Sequence, residues 1–304
     1  MSSVLVLGST GTVGLGVAIA FANEGYKVYG LARTQEKANL LIKNEIVPVL
    51  SSEGIKDTSK WVSIAESVDV IVEAIMDFTD QTGGGETLEQ IKLILQKYPK
   101  KTILYTSGGM LYGDHGDQLI HENSNYKTHE FLIPRLKIQS EYQRIGAIVI
   151  QPSFVHGTTL PIYYKAIKAA TQDNGIVTLP GNDQQWRGFI HIKDLAQFYV
   201  LVSKRAAEFK GDIFLINSSN EKVSDVIFAL AKASKVTINK INWTAPTDLL
   251  STFLATSQKE SSQKATNLLG WYPVQENFTD GAPRYIAAFE LLSNKETTVK
   301  FQSK

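Results

Sequence analysis

The chain has 304 residues, and its 31 lysines and arginines almost balance its 30 aspartates and glutamates. This balance provides no overall field that would favour nucleic acid or an acidic membrane. The lack of cysteine excludes disulfides, thiolate metal sites and a cysteine nucleophile, and no residues show metal-ligand spacing. Because Met1 is followed closely by an apolar run and no apolar stretch reaches membrane-spanning length, we expect a cytoplasmic protein that binds neither nucleic acid nor a membrane.

Short apolar runs alternate with helical segments through the first half of the chain. The predicted strands are 3–7, 26–32, 46–50, 68–74, 102–106 and 147–151. The predicted helices are 14–24, 35–43, 59–66, 85–98 and 126–145. Because these strands are continuously apolar, the pattern predicts an α/β fold whose parallel sheet is covered by helices on both faces. Right-handed crossovers then give a doubly wound Rossmann sheet.

The alternation loosens after residue 152. We predict helices at 159–173, 194–205, 224–235 and 281–293, a short extended segment at 188–192 and a strand at 212–217. The chain is therefore expected to contain a dinucleotide-binding Rossmann domain, residues 1–157, which also receives parts of 188–220. The remaining segments, 158–187 and 221–304, would form a smaller substrate-binding region.

A glycine-rich turn, Gly8-Ser9-Thr10-Gly11-Thr12-Val13-Gly14, joins the first strand to the first helix. Glycines let a backbone turn tightly and approach a pyrophosphate, and the N–H groups of the helix that follows point at the anion. The strand before the turn and the helix after it give this motif the context that a dinucleotide site needs. The predicted cofactor-binding residues of the turn are Gly8, Thr10, Gly11, Thr12, Val13 and Gly14.

The residues after the second strand select between the two nicotinamide nucleotides. An acidic residue there holds the ribose 2′-hydroxyl of NAD, whereas an arginine suits the 2′-phosphate of NADP. The sequence here is Leu31-Ala32-Arg33-Thr34, and the first acid is Glu36. Because a guanidinium binds phosphate bidentately and a carboxylate repels it, NADP(H) is favoured over NAD(H), with Arg33 as the contact.

Six motifs in chain order resemble the short-chain dehydrogenase/reductase superfamily, in its extended or atypical, epimerase/dehydratase-like branch. They are Gly8-x-x-Gly11-x-x-Gly14, Val70-Ile71-Val72-Glu73-Ala74, Leu104-Tyr105-Thr106-Ser107-Gly108-Gly109-Met110-Leu111-Tyr112-Gly113-Asp114, Gln151-Pro152-Ser153-Phe154-Val155-His156-Gly157, Phe189-Ile190-His191-Ile192-Lys193-Asp194-Leu195-Ala196 and Asn267-Leu268-Leu269-Gly270-Trp271-Tyr272-Pro273. The resemblance covers nearly the whole chain. It implies a small-molecule substrate, it leaves a homodimer open, and it places Ala74 and Pro152 beside the cofactor.

The chain departs from this resemblance at the catalytic tyrosine. The superfamily uses a Tyr-x-x-x-Lys pair, in which the lysine lowers the pKa of the tyrosine so that the phenol acts as an acid or base. With Glu141 as the glutamate that follows the pair on the long helix, the tyrosine position is Ile133 and the lysine position is Lys137. The resemblance therefore implies that Lys137 contacts the cofactor ribose and assists catalysis, but it supplies no tyrosine. Pro134 also suggests that the helix begins here.

The substrate-binding hydroxyl is displaced as well. Counted back from Tyr112, the usual serine position is Gly108, and Ser107 stands next to it. Ser107 and Tyr112 are thus the other catalytic candidates. Further candidate proton donors lie in loops near the carboxyl ends of strands or in a second Tyr-x-x-x-Lys pattern; they are His115, His156, Tyr163 and the pair Tyr164 and Lys168.

Two residues of the fifth motif are expected to be structural. His191 would make a hydrogen bond within the fold, and Asp194 would cap the helix that follows it.

Three functions fit these features. The favoured one is an NADP(H)-dependent oxidoreductase that acts on a small carbonyl or alcohol, because divergent members of this superfamily relocate their proton donor. The alternatives are a non-catalytic NADP(H)-binding redox sensor or regulatory protein, which the missing tyrosine would suit, and a sugar-nucleotide epimerase or dehydratase.

Overall fold

The computed structural model describes residues 2–76, 84–157 and 163–300. The strands in these ranges are β1 (Ser3–Leu7), β2 (Lys27–Ala32), β3 (Val47–Leu50), β4 (Val70–Glu73), β5 (Thr102–Thr106), β6 (Leu119–Ile120), β7 (Ile148–Pro152), β8 (Phe154–His156), β9 (Ile176–Pro180), β10 (Trp186–His191), β11 (Ile213–Ile216), β12 (Ser219–Lys222), β13 (Lys240–Thr244) and β14 (Lys259–Glu260).

The same ranges contain the following α-helices. They are α1 (Thr12–Asn23), α2 (Gln35–Ile42), α3 (Thr58–Ser67), α4 (Gly85–Lys97), α5 (Ile133–Arg144), α6 (Tyr163–Ala170), α7 (Ile192–Lys204), α8 (Val223–Ala233), α9 (Leu249–Ala255), α10 (Gln263–Leu269) and α11 (Ala282–Lys300). Short 3₁₀ helices lie at Gly54–Lys56, Gly109–Tyr112, Glu130–Leu132 and Ala206–Glu208.

Seven parallel strands form the central sheet, in the order β11-β7-β5-β4-β1-β2-β3. The first three strands lie side by side, from β1 to β3, and β4 then pairs with the opposite edge of β1. This reversal is the point at which open α/β sheets bind ligands, at the carboxyl ends of their strands. The predicted doubly wound Rossmann sheet is therefore confirmed.

Helices cover both faces of this sheet. On one face α1 packs beside α7, and Phe21 and Phe198 are fully buried in a core that also includes Trp271. On the other face Trp61 and Tyr142 are fully buried beneath α3, α4 and α5. Full burial of a large apolar side chain contributes roughly 1.5–3 kcal/mol, so these two layers hold the strand ends in place.

A second core lies under the residues that leave the sheet. Phe189 of β10 stacks on Phe278 at a ring distance of 4.8 Å, within an apolar cluster drawn from α6, α8 and α11. Three small sheets lie outside the central sheet: β12-β10-β8, β13-β9 and β14-β6. The β14-β6 pair carries residue Glu260 back to the loop that follows β5.

The predicted elements differ from the structure mainly at loops and in the last third of the chain. The helix predicted at 126–145 begins only at Ile133, because Pro134 fits the first turn of a helix and not its interior. The helix predicted at 159–173 is α6, and residues 159–162 lie outside the described ranges. The last predicted helix, 281–293, extends to Lys300, and α9, α10 and several two- to five-residue strands were not predicted.

Candidate functional site

The glycine turn after β1 has a geometry that only glycine permits at two positions. Gly8 has a φ of +83°, and a Cβ atom there would lie 2.5 Å from the carbonyl oxygen of Ala74. A Cβ on Gly14 would lie 2.2 Å from the carbonyl oxygen of Gly8. The turn is closed by a hydrogen bond of 3.0 Å from Gly11 N to Gly8 O. Its tightness brings the start of α1 close to the ends of β1 and β4.

The same turn fits the phosphates of a dinucleotide. Gly11 is exposed and is the N-cap of α1, and a Cβ there would touch nothing closer than 3.4 Å. Among the described residues, no side chain caps this helix and its first turn contains no acid. Thr10, Thr12 and Val13 are partly exposed around the turn. Backbone N–H groups and the positive end of the helix dipole are thus available to an anion.

Arg33 lies directly after β2, on the same edge of the sheet. Its side chain is exposed and passes over Gly54, where a Cβ would lie 3.2 Å from the Arg33 Cδ. The next residue, Thr34, caps α2 by accepting a hydrogen bond from Lys37 N. The guanidinium has no hydrogen bond or ion pair with the described residues and lies at the carboxyl end of β2, where dinucleotide folds hold the adenosine ribose.

A cavity of about 250 Å³ opens beside the glycine turn, and we call it the inner cavity. It brings together four residues that were predicted from sequence as cofactor or catalytic contacts: Val13, Ala74, Ser107 and Pro152. The other residues that line it are Ile75, Met76, Thr106, Gly108, Gly109, Met110, Arg135, Ser153, Phe154, Val155, Arg187, Gln258 and Glu260.

A second cavity of about 270 Å³ adjoins the first, and we call it the outer cavity. Its walls are apolar apart from two arginines, and one wall is formed by α9. The residues that line it are Met76, Gly108, Met110, Leu111, Leu132, Arg135, Phe154, Arg187, Leu250, Phe253 and Leu254.

Helix α5 lines both cavities with Arg135, and Gln139, one helical turn further along, hydrogen-bonds to the wall residue Ser107. Lys137, the residue in the predicted lysine position, is exposed and is not among the described residues that line either cavity. Because residues two apart on a helix point in different directions, Arg135 and Lys137 cannot both face the cavities. The i, i+4 pair of Arg135 and Gln139 was present in the sequence but was not singled out.

A buried hydrogen-bond network lies behind Ser107. The Ser107 hydroxyl donates to Gln139 Oε1 at 2.5 Å, and Gln151 Nε2 donates to the same oxygen at 2.9 Å. The Tyr126 hydroxyl accepts hydrogen bonds from the side-chain amides of Gln139 and Gln151, and the Tyr112 hydroxyl donates one to Gln151 Oε1 at 2.9 Å. Tyr112 is fully buried, and its burial raises the pKa of the phenol well above its usual value. The structure thus places Tyr112 one layer behind Ser107, and not on the cavity walls.

Glu73 ends β4 and is almost fully buried. Burial raises its pKa to about 7, although the nearby charge of Arg135 and a hydrogen bond from Ile75 N act in the opposite direction. This carboxyl is therefore close enough to Arg135 of α5 for the two side chains to interact electrostatically. Sequence reasoning placed Glu73 in a strand motif but gave it no role.

Glu260 is the acidic residue on the wall of the inner cavity. Its carboxyl is buried in a slot formed by Gly109 and Gly188, where a Cβ would lie 2.0 Å from Oε1 and 2.2 Å from Oε2, respectively. Oε1 has no hydrogen-bond partner among the described residues. Burial raises the pKa of Glu260, and the Ser153 hydroxyl and the Arg187 charge oppose that rise.

The remaining candidate proton donors lie elsewhere. His115 is half-buried and contacts the carbonyl of Asn125, while the Tyr163 ring is buried in the second core. The Tyr164 and Lys168 pair faces α11, where both side chains contact Glu290. His156 is fully buried among aromatic rings, and burial together with His191 lowers its pKa to about 3, so the imidazole is neutral at ordinary pH.

His191 and Asp194 have structural contacts, but the predicted cap was assigned to the wrong residue. Helix α7 begins at Ile192, and His191 is its N-cap because its Nδ1 accepts a hydrogen bond from Lys193 N. Asp194 already lies in the first turn, and its carboxylate accepts hydrogen bonds from the backbone N–H groups of residues 274 and 275. It therefore ties the C-terminal segment to the Rossmann part.

Two absences hold for the described ranges. They contain no group of three or more His, Asp or Glu side chains that could bind a metal ion. None of their helices combines the length and the apolar character that a membrane crossing requires.

The reversed sheet order and the glycine turn at a free helix N-terminus together define a dinucleotide-binding α/β protein. The family model for the NAD dependent epimerase/dehydratase family matches residues 4–216, and the chain belongs to this family. The resemblance that the six motifs indicated is thereby confirmed. A comparison with curated proteins finds no match.

Solved structures of the same architecture cover nearly the whole chain. The dTDP-glucose 4,6-dehydratase of Bacillus anthracis, in complex with NAD, superposes with a TM-score of 0.78 at 15% identity, covering 95% of this chain and 97% of that one. The UDP-glucose 4-epimerase of Stenotrophomonas maltophila, with bound NAD, gives 0.77 at 14% identity, covering 97% and 100%. The UDP-glucuronic acid 4-epimerase of Bacillus cereus gives 0.75 at 16% identity, covering 95% and 99%. At these identities the likeness concerns the fold.

Proposed function

We propose that the chain is an NADP(H)-dependent oxidoreductase that acts on a small, mainly apolar carbonyl or alcohol. The observation that carries this proposal is the outer cavity, whose walls are apolar apart from two arginines. It adjoins an inner cavity that touches both the glycine turn and Ser107. A substrate in the outer cavity would therefore present its reacting group beside the cofactor site.

The sugar-nucleotide alternative is favoured by the names of the structural neighbours, which include dehydratases and epimerases of nucleotide sugars. A sugar ring carries several hydroxyl groups, and each loses free energy when it is buried without a hydrogen-bond partner. The apolar residues of the outer cavity offer no such partners. We therefore place this function second.

For the cofactor, the proposal assigns the pyrophosphate to the N-terminus of α1 and the 2′-phosphate to Arg33. When bound, NADP(H) supplies or accepts a hydride. The acid-free end of β2 and the exposed guanidinium support this choice over NAD(H).

Ser107 and Glu260 are the residues that we assign to the substrate oxygen. A concerted rotation of the Gln139 and Gln151 amides would let Gln139 Nε2 donate to both Ser107 and Gln151 Oε1, which frees the hydroxyl proton of Ser107 for a substrate oxygen. In the direction of carbonyl reduction, the Glu260 carboxyl donates its proton to the same oxygen, and the carboxylate left behind faces the Ser153 hydroxyl and the Arg187 charge. This assignment replaces the missing tyrosine, and it gives Tyr112 and Lys137 no direct contact with the reacting atoms.

The first test is a thermal-shift titration with NADPH, NADP⁺, NADH and NAD⁺. A ligand at a hundred times its Kd adds about 2.7 kcal/mol to the free energy of unfolding. We expect a shift with the phosphorylated pair, followed by oxidation of NADPH with members of a panel of apolar aldehydes, ketones and enones. Glu260→Gln should lower the rate by about 10²–10⁴, the usual contribution of a general acid, with the NADPH shift unchanged.

The alternatives give different results in the same assays. NADPH binding without turnover of any panel member would favour the non-catalytic sensor, and a panel of UDP- and dTDP-sugars tests the epimerase or dehydratase. No shift with any of the four nucleotides would refute both the cofactor assignment and the proposed function.

A further inference from the structure

Two arginines lie at the boundary between the inner and outer cavities. Arg135 comes from α5 and Arg187 from β10, and each lines both cavities. Arg187 is only 2% exposed. A guanidinium is always charged in proteins, so these two side chains bring positive charge into the otherwise apolar walls of the outer cavity.

Arg187 uses only part of its hydrogen-bonding capacity. Its Nη2 donates to the carbonyl oxygens of Phe253 at 3.1 Å and Leu254 at 2.9 Å, at the C-terminal end of α9. Its Nε and Nη1 are buried and have no partner among the described residues. Buried polar groups are rarely left without a partner, so these two groups are available to a water molecule, an ion or a ligand.

Arg135 also uses only part of its hydrogen-bonding capacity. Its Nη2 donates to Thr106 O at 2.7 Å, and its guanidinium carbon lies 5.7 Å from the centre of the Tyr105 ring. Its Nε is buried and has no partner in the described part of the chain. The two contacts hold the guanidinium in one orientation, so little conformational freedom is left to lose when a ligand binds.

Neither charge has a close counter-ion within residues 2–76, 84–157 and 163–300. The ion pairs formed by the described residues, at N···O distances up to 4.0 Å, include neither Arg135 nor Arg187. The nearby acids are Glu73 for Arg135 and Glu260 for Arg187, and burial raises the pKa of both carboxyls. A carboxyl that favours its neutral form compensates a buried cation only weakly, and an uncompensated buried charge is costly.

We propose that Arg135 and Arg187 together bind the carboxylate of a substrate whose apolar part fills the outer cavity. This inference rests on the proposed function for the reacting group: the carbonyl or hydroxyl of the same molecule would extend into the inner cavity toward Ser107. The substrate class is then an apolar oxo- or hydroxycarboxylic acid.

A carboxylate suits this boundary better than a phosphate. The planar guanidinium presents paired N–H groups that match the two oxygens of a carboxylate. A carboxylate carries one negative charge, whereas a phosphate monoester carries nearly two at neutral pH, and the apolar walls make the second charge costly to desolvate.

The test is a thermal-shift and calorimetric titration of the full chain with hexanoate and benzoate, at constant ionic strength. Hexanamide and benzamide serve as neutral isosteres, and inorganic phosphate as a different anion. We expect saturable binding of the two carboxylates, and at least tenfold weaker binding of the amides and of phosphate. Arg135→Gln and Arg187→Gln should each weaken carboxylate binding at least tenfold.

Arg144→Gln is the matched control, because Arg144 is an exposed arginine on the same helix as Arg135. It should leave carboxylate binding unchanged. Arg187→Lys keeps the charge if Arg187→Gln proves too unstable to measure, and it should retain part of the binding. The melting temperature of each variant without ligand reports whether it is folded.

Carboxylate binding that is absent in the wild type, or as tight in both glutamine variants as in the wild type, overturns the inference, and so does preferential binding of phosphate. NADPH is titrated separately on the same samples. If NADPH binds and the carboxylates do not, the substrate class is wrong but the proposed function stands. If the carboxylates bind and NADPH does not, the anion site stands and the proposed function fails.

Discussion

The two sides of the site are built from different parts of the chain. The proposed nucleotide side is made by backbone: one seven-residue turn, the N-terminus of α1 and the ends of β1, β2 and β4. The proposed substrate side is made by side chains from segments far apart in sequence, such as Ser107, Arg135, Arg187, Phe253 and Glu260. Nucleotide binding should therefore depend on local geometry, and substrate binding on long-range packing. The following predictions test this contrast, from the largest expected effect to the smallest.

On the nucleotide side, Gly14→Ala should have the largest effect. Its Cβ would lie 2.2 Å from Gly8 O, so the turn must shift. We expect destabilisation of roughly 1–3 kcal/mol, as for other overpacked sites, and loss of the NADPH shift. Gly11→Ala is the matched variant, because its Cβ would meet Gly8 O only at 3.4 Å and would occupy the exposed surface where a phosphate approaches. Gly11→Ala should leave the free energy of unfolding unchanged and abolish the thermal shift caused by NADPH. Retention of NADPH binding in both variants would refute the phosphate assignment.

Beneath the substrate side, Glu73→Gln should change how stability depends on pH. The folded chain raises the pKa of Glu73 from 4.5 to about 7, so folding favours the protonated form. The resulting stability is present below pH 4.5 and is lost as the pH rises through 7, by up to about 3 kcal/mol.

The glutamine mimics the protonated acid and can still accept the hydrogen bond from Ile75 N. Urea unfolding at pH 5 and pH 8 should therefore show a smaller loss of stability in Glu73→Gln than in the wild type. Glu36→Gln, at an exposed carboxyl of α2, is the control. An identical pH dependence in wild type and Glu73→Gln would show that the carboxyl is already ionised at pH 5.

Arg33→Ala tests the choice of nucleotide. Hydrogen bonds to a charged group contribute about 1.5–3 kcal/mol, so the Kd of NADPH should rise by roughly 10–100-fold. The Kd of NADH should stay unchanged, because it lacks the 2′-phosphate. Lys37→Ala removes another exposed cation of the same segment and should alter neither Kd. An equal loss for NADPH and NADH in Arg33→Ala would argue against a 2′-phosphate contact.

Two variants of α5 compare its buried and exposed faces. Gln139→Ala should lower the free energy of unfolding by about 2 kcal/mol, because Ser107 and Gln151 lose a buried partner. Lys137→Ala should change it by less than about 0.5 kcal/mol, as at most exposed positions, and should leave NADPH binding intact. A loss of NADPH binding in Lys137→Ala would instead support the ribose contact that the resemblance implies.

The division between the nucleotide side and the substrate side also separates the features that the sequence predicts from those that it does not. The strand ends and the glycine turn were predictable because their signals are local: apolar runs, glycine spacing and the arginine after β2 all lie within about thirty residues. The residue by which α5 lines the cavities was not, because counting back from Glu141 selected Ile133 and Lys137, and the ribose contact of Lys137 stays a prediction. Arg135 lines both cavities, and Gln139 lies behind them, hydrogen-bonded to Ser107; packing of the helix against the sheet sets this orientation.

By itself, the sequence determined the doubly wound sheet, the dinucleotide turn and the family, because hydrophobic periodicity and glycine conformations act over short stretches of chain. Only the tertiary structure decided which polar groups meet in the cavities. Glu260 fits beside Gly109 and Gly188 because β14 pairs with β6, and Arg187 stands at the cavity boundary because α9 accepts its hydrogen bonds. These contacts join residues about 65 to 150 positions apart, and no local pattern encodes them.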